Sequence, residues 1–156
     1  MHDIGFENHD HDACVAEALR TAETCCTDRK VQLTPVRRRV LEILLQEHRA
    51  MGAYDILGQL ADEGLGSQPP VAYRALDFLE TQGFVHKIER LNAWLACTHA
   101  GDAHSPVFLI CRKCGSVAES RMSGHGLLDA ARAVDFQIET TVVEAEGLCP
   151  ACQKAA

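Results

Sequence analysis

No stretch of this 156-residue chain approaches the ~20 consecutive apolar residues needed to span a bilayer. The opening Met1-His2-Asp3-Ile4-Gly5 lacks a basic stretch followed by an apolar one, so no secretory leader is expected. Eight cysteines without a leader point to a reducing cytoplasm and to metal ligands rather than a disulfide framework. Positive charge is scarce too: 15 Lys and Arg stand against 22 Asp and Glu, a net −7. That balance argues against a nucleic-acid partner unless charge is segregated. Residues 29 to 49 do segregate it. They hold Arg29, Lys30, Arg37, Arg38, Arg39 and Arg49 against Glu42 and Glu47, six minus two, a local +4. No internal repeat is seen beyond two paired cysteine turns, and no H-E-x-x-H motif offers a catalytic zinc with its general base. The 47% hydrophobic content is ordinary for a globular protein and allows one domain or two small ones.

What the chain does have is Cys111-Arg112-Lys113-Cys114 and Cys149-Pro150-Ala151-Cys152. Each C-x-x-C turn aims two thiolates at one point, and two such turns complete a tetrahedral sulfur site suited to zinc. The gap from 115 to 148 exceeds the usual ribbon spacing of about 15–20 residues, so a small subdomain must fold between them. A redox C-x-x-C would open a helix after a strand, whereas Gly115 directly after Cys114 reads as a zinc knuckle. A zinc enzyme or thiol oxidoreductase is therefore a weaker reading than a structural site. A zinc buffer would need no DNA reader.

The first dozen residues, rich in Asp and His, are expected to be mobile. Helical spacing then predicts helices over Ala13 to Arg29, from Thr34-Pro35 through Leu44, over Ala53 to Glu63, and over Ser67 to Gln82. Thr34 caps, Pro35 sits where no N–H is needed, and Gly64 and Gly83 end the last two helices. Phe84 to Glu89 and Ala93 to Cys97 read as a hairpin around Arg90-Leu91-Asn92. Helices closing on a small hairpin make a winged helix-turn-helix. Beyond a hinge at 98–105, strands are expected at Val107–Ile110, Val117–Glu119 and Gln137–Glu146, with a helix at Gly126–Val134. The fold class is α+β, divided as 1–97, hinge 98–105, and 106–156.

On the helix from Pro69, Ala72, Ala75, Leu76 and Leu79 form the core stripe, which turns Tyr73 and Arg74 outward in the first turns. A recognition helix reads bases with such N-terminal residues: Arg pairs with guanine, and Tyr meets a phosphate or a thymine methyl. Asp77 and Glu80 lie further along, so only the first half suits a groove. Six other side chains remain as candidate ligands: His86, Cys97, His99, His104, His125 and Glu119. They are spread over wing, hinge and second half, a layout that suits a switch better than a staple. Mixed His, Cys and carboxylate donors favour zinc over iron(II). Cys14, Cys25 and Cys26 fall on the first helix and read as packing residues.

The run Pro69-Pro70-Val71-Ala72-Tyr73-Arg74-Ala75-Leu76-Asp77-Phe78-Leu79, followed by Gly83-Phe84-Val85-His86-Lys87-Ile88-Glu89, resembles the ferric-uptake-regulator superfamily. With Asn92-Ala93-Trp94-Leu95-Ala96-Cys97 and Gly147-Leu148-Cys149-Pro150-Ala151-Cys152 it looks most like the zinc-uptake-regulator branch, over roughly residues 15 to 153. The resemblance implies a cytoplasmic homodimeric repressor on palindromic operator DNA, with a winged-helix domain and an α/β dimerisation domain. It implies two zinc ions per subunit: a structural one on Cys111, Cys114, Cys149 and Cys152, and a regulatory one on His86, Cys97, His104 and Glu119. It assigns DNA reading to Tyr73 and Arg74, and expects no membrane and no small-molecule substrate. Other family members sense iron, manganese, nickel or peroxide. The family usually places a hydroxyl residue and Val before Tyr-Arg, where Val71-Ala72 stand here.

Overall fold

A computed structural model describes residues 11–47, 49–97, 100, 106–122 and 125–155. Four helices come first: α1 (His11–Asp28), α2 (Pro35–Gln46), α3 (Ala53–Asp62) and α4 (Pro69–Thr81). Strands β1 (Val85–Ile88) and β2 (Ala93–Ala96) pair antiparallel, with His86 opposite Leu95. Then follow β3 (Pro106–Cys111), β4 (Val117–Arg121), α5 (Gly126–Ala133), β5 (Val143–Gly147) and α6 (Pro150–Lys154). None of the described helices is long and apolar enough to cross a membrane. The expectation of a mobile start over residues 1–12 lies outside the described residues up to residue 10, and helix α1 already begins at His11.

Local chemistry explains the helix starts. The Thr34 hydroxyl accepts the Arg37 N–H at 3.4 Å, and Pro35 occupies the first helical position. Pro69 opens α4 in the same way. Helical spacing expects stripes at Val36, Val40, Ile43 and Leu44 on α2 and at Ile56, Leu57 and Leu60 on α3; all are buried except Val36, which is partly so, and Ala72, Ala75, Leu76 and Leu79 of α4 are buried as expected. They close one core with Leu19, Ala22 and Cys26 of α1 and with Phe84, Val85, Trp94 and Ala96 of the hairpin. Trp94 also ties the α2–α3 connection to the hairpin through two backbone bonds with Met51, at 2.8 and 2.9 Å.

A second cluster joins Ile88 and Leu95 of the hairpin to Phe108, Ile110 and Val117 of the second sheet. That sheet has the order β4-β3-β5, with β3 antiparallel to β4 and parallel to β5.

Three expectations are corrected. The last strand is Val143–Gly147, not Gln137–Glu146; residues 137–142 show alternation but no strand partner among the described residues, and Phe136 and Val142 are 65% and 58% exposed. The hairpin connection is a 3-10 turn over Glu89–Leu91, ended by Asn92 in the left-handed region at φ +47°. The local +4 is not a free basic face. Arg38 pairs with Glu23, Arg39 pairs with Glu42 and Glu63, Arg37 stacks on Phe78, and Arg29 donates to the Gln82 carbonyl.

Two glycines should respond oppositely to alanine. Gly66, just ahead of α4, has φ +131°, and a Cβ there would lie 2.9 Å from the Val71 side chain. Gly66→Ala should cost roughly 1–3 kcal/mol. Gly58, inside α3, has nothing within 4 Å of the place an added Cβ would take, so Gly58→Ala should stabilise by about 0.5–1 kcal/mol. Urea denaturation of both variants measures the pair.

Candidate metal centres and nucleic-acid interface

The two C-x-x-C turns meet because β3 and β5 run parallel. Their register pairs Cys111 with Gly147, so both strands deliver a cysteine turn at the same end of the sheet. The Arg112 N–H donates to the Gly147 carbonyl at 2.9 Å, and Gly115, at φ +76°, folds the first turn back on Cys111. Cys149 caps α6 and Cys152 lies inside it. The four sulfurs lie within 4.8 Å of one another, with Cys114 and Cys149 at 3.8 Å. A zinc with Zn–S bonds of about 2.3 Å needs tetrahedral edges of about 3.8 Å, so the donor set fits zinc.

The thiols are graded. Hydrogen bonding from the Cys149 backbone, then from Cys114, draws the Cys111 thiol down to about 6. The Ser116 hydroxyl, 2.7 Å away, lowers Cys114. Cys152, facing Cys149 and then burial, is pushed up to about 12. Four adjacent sulfurs do not all ionise without a cation, so binding at neutral pH displaces protons from the group as a whole.

The second group joins three elements. His86 is on β1, Cys97 follows β2, and Glu119 is on β4. Their donor atoms also lie within 4.8 Å of one another. His86 Nε2 is 3.5 Å and Cys97 Sγ 3.8 Å from Glu119 Oε1. Mixed bonds of about 2.0–2.3 Å give tetrahedral edges of about 3.3–3.8 Å, so these separations also fit zinc. Cys97 is held by its N–H on the Phe84 carbonyl at 2.8 Å, and the His86 ring packs 5.5 Å from Phe108. Glu119 is 2% exposed, the one buried charged residue among those described. A buried carboxylate is held by pairing and hydrogen bonding, here to His86 and Cys97. His99 and His104 lie outside the described residues, and His125 stands at the start of α5, outside both groups.

On α4, Tyr73 and Arg74 are exposed, as the stripe predicts, and Asp77 and Glu80 lie further along. Tyr73 is 38% exposed and rests edge-on against Trp94, ring centroids 6.0 Å apart. Lys87 of β1 lies over the same indole, 5.6 Å from the ring centre. Helix α4 and the hairpin thus share one indole. Sequence reasoning missed this, and it missed Glu144 and Glu146 of β5, which hold the wing turn. Their only signal is a carboxylate at alternate positions of one strand. Cys26 is buried, and burial pushes its thiol up, in keeping with packing.

Apparent zinc affinity of the four-cysteine group should fall as pH falls, because protons and metal compete for the same sulfurs. Each thiol that must lose its proton adds about tenfold per pH unit. Chelator competition from pH 8 to pH 6 measures the slope, and a flat line would contradict the thiolate assignment.

The model of the ferric uptake regulator family matches residues 28–143. The zinc uptake regulation protein of Escherichia coli strain K12 is 41% identical over 143 residues, 87% of this chain and 81% of its own length. A zinc uptake regulator solved in complex with zinc and DNA has a TM-score of 0.83 at 38% identity, covering 90% of this chain and 96% of that one. The holo form of XcZur scores 0.79 at 38% identity over 87% of this chain and 96% of its own. The apo form scores 0.52 at 36% identity over 90% and 99%. The elements of this chain are therefore arranged more like the holo than the apo form. On the family match and the 41% identity together, the chain belongs to the ferric uptake regulator family.

Proposed function

We propose that this chain is a zinc-responsive transcriptional repressor that binds palindromic operator DNA as a homodimer in the cytoplasm and controls zinc uptake. The observation that carries this reading is the gathering of His86, Cys97 and Glu119 at tetrahedral separations across wing and second sheet. Relatives named for zinc uptake, one of them solved with zinc and DNA, support it.

Two zinc ions per subunit take different parts. Cys111, Cys114, Cys149 and Cys152 form a closed sulfur set that folds the 106–156 unit and leaves no open position for a substrate. His86, Cys97 and Glu119, with His104 as fourth donor, form the regulatory set. The cation would be held between the Glu119 carboxylate, the His86 imidazole and the Cys97 sulfur. With those side chains committed, the 1–97 unit and the 106–156 unit hold one orientation across the 98–105 hinge. Tyr73 and Arg74 of two subunits then sit about one DNA turn apart. When the regulatory set empties, that orientation is lost and so is the register. The thiolate of Cys97 favours zinc over iron(II) as the signal.

The second subunit has a surface to meet. Leu109, Leu127, Leu128, Val134, Phe136 and Val142 of the second unit are all at least 38% exposed. Exposed apolar side chains in such number on one small unit favour an association face there.

Operator titration in buffered zinc or iron(II), with zinc content measured in parallel, tests the reading. Wild type should bind only with its second zinc equivalent, and Cys97→Ser should keep one zinc and lose binding. Equal service by iron(II), or binding that ignores the second equivalent, would refute the switch. Arg74→Ala should leave zinc content unchanged and weaken operator binding by about 1–3 kcal/mol if Arg74 reads a base.

A further inference from the structure

Besides the apolar contact at Phe108, two polar groups among the described residues tie the wing to the second sheet, and only one of them holds candidate ligands. Side chains paired directly across strands share one face of a sheet. Phe108 of β3 pairs with Glu119 of β4 on one side and with Glu144 of β5 on the other. Glu119, Phe108 and Glu144 therefore form one row facing the hairpin. Phe108 carries the contact with Ile88 and Leu95, and Glu119 faces His86 and Cys97. Glu144 accepts two backbone bonds from the wing turn, one oxygen to each donor: the Glu89 N–H at 2.8 Å and the Arg90 N–H at 3.3 Å. The turn has no side-chain cap of its own, so Glu144 supplies it from another unit. Two residues along the same face, Glu146 takes the Arg90 guanidinium at 3.0 Å.

Resting on the proposed metal switch, we infer that Glu144 is the positioning residue that transmits metal binding to the DNA face, with the Arg90–Glu146 pair in support. Ligation at His86 and Cys97 and the apolar contact on Phe108, which has no directional preference, would by themselves let the wing turn shift about them. Glu89 lies three residues beyond His86, about 10 Å along an extended strand. A second tie at that distance, on the opposite edge strand, removes that shift. Glu144 thus favours the closed arrangement before metal arrives, and metal and Glu144 stabilise the same state. Linkage then requires that loss of the tie weaken metal binding at the regulatory set and weaken operator binding together. The tie also turns Arg90 toward protein, so this wing cation serves orientation rather than phosphate.

The test uses the full-length, zinc-loaded protein and the variants Glu144→Ala, Glu144→Gln and Arg90→Ala. Second-zinc affinity is measured by chelator competition without DNA, operator affinity with and without the second zinc, and overall shape by small-angle scattering. Glu144→Ala should keep the four-cysteine zinc, weaken the second zinc severalfold, weaken operator binding at saturating zinc about tenfold, and scatter as a more open particle. Glu144→Gln, which keeps one acceptor oxygen, should fall between it and wild type and serves should the alanine variant not fold. Arg90→Ala should show a smaller loss that disappears at high salt, as expected of an exposed pair. A Glu144→Ala protein with a lower Tm but wild-type zinc affinity, scattering and zinc–operator coupling would overturn the inference, leaving Glu144 a stability residue only. Should wild type itself show no zinc-dependent operator binding, the switch reading fails. Scattering then decides the tie separately, unchanged shape in Glu144→Ala refuting it and opening supporting it.

Discussion

The parallel pairing of β3 with β5 is the constraint on which the second half depends. It aligns Cys111 with Gly147, which brings together two cysteine pairs far apart in sequence. The same register sets Phe108 beside Glu144, while the antiparallel β3–β4 hairpin sets it beside Glu119. One central strand therefore organises the sulfur site at its end and the wing-facing row along its length. Parallel pairing needs a long crossover, and closing that loop costs entropy that rises only slowly with its length. Structural zinc binding is worth about 10–16 kcal/mol in small zinc-finger peptides, large against the extra closure cost. The three-stranded sheet has few buried residues of its own, chiefly Phe108, Ile110, Val117 and Ala118. A unit this small does not stand on apolar burial alone. It leans on sulfur ligation and on the cluster shared with Ile88 and Leu95.

In the proposed switch, Glu119 is where folding and signalling would meet. Its carboxylate is buried under the wing, beside an imidazole and a thiol. Apolar side chains of similar volume would pack such a place at no electrostatic cost, and buried charges are weak sources of stability. What a buried carboxylate would provide in the proposed switch is dependence: the closed arrangement would respond to a cation held beside it. The four-cysteine group has no such role, since its ligands all lie within one unit and its closure does not depend on where the wing sits.

The legible part of the sequence was the part governed by local rules. Helical periodicity placed the stripes of α2, α3 and α4, Thr34-Pro35 placed a helix start, and the stripe on α4 turned Tyr73 and Arg74 outward. The C-x-x-C spacing exposed the sulfur site because both halves of each pair are local. Tertiary pairing was not legible from the residues. His86, Cys97 and Glu119 are drawn from three strand regions, and the residues alone left them in a set of six; family resemblance supplied their grouping. Residues 137–142 alternate like a strand, yet alternation reports only two faces, not a partner. The charge sum over 29 to 49 was correct as arithmetic and misleading as a surface, because Glu23 and Glu63 lie outside that window and neutralise Arg38 and Arg39. Glu144 reads as a solvent carboxylate until the wing turn is seen against it.

The acidity of the chain bears on how such a switch works. Nonspecific attraction to DNA scales with the phosphates a protein neutralises. Here the net charge is −7, and much of the cationic stretch ahead of the reader helix is bound to carboxylates, carbonyls and rings within the fold. A strongly basic protein would cling to DNA in either arrangement, and reorienting its readers would change little. With weak background attraction, binding in the proposed switch would rest on a few directed contacts, those assigned to Tyr73 and Arg74, and on the matching of two half-sites. Directed contacts are lost when orientation is lost. A scarcity of positive charge therefore makes control of wing orientation an effective control of binding, and it ties the acidic composition to the buried carboxylate beneath the wing.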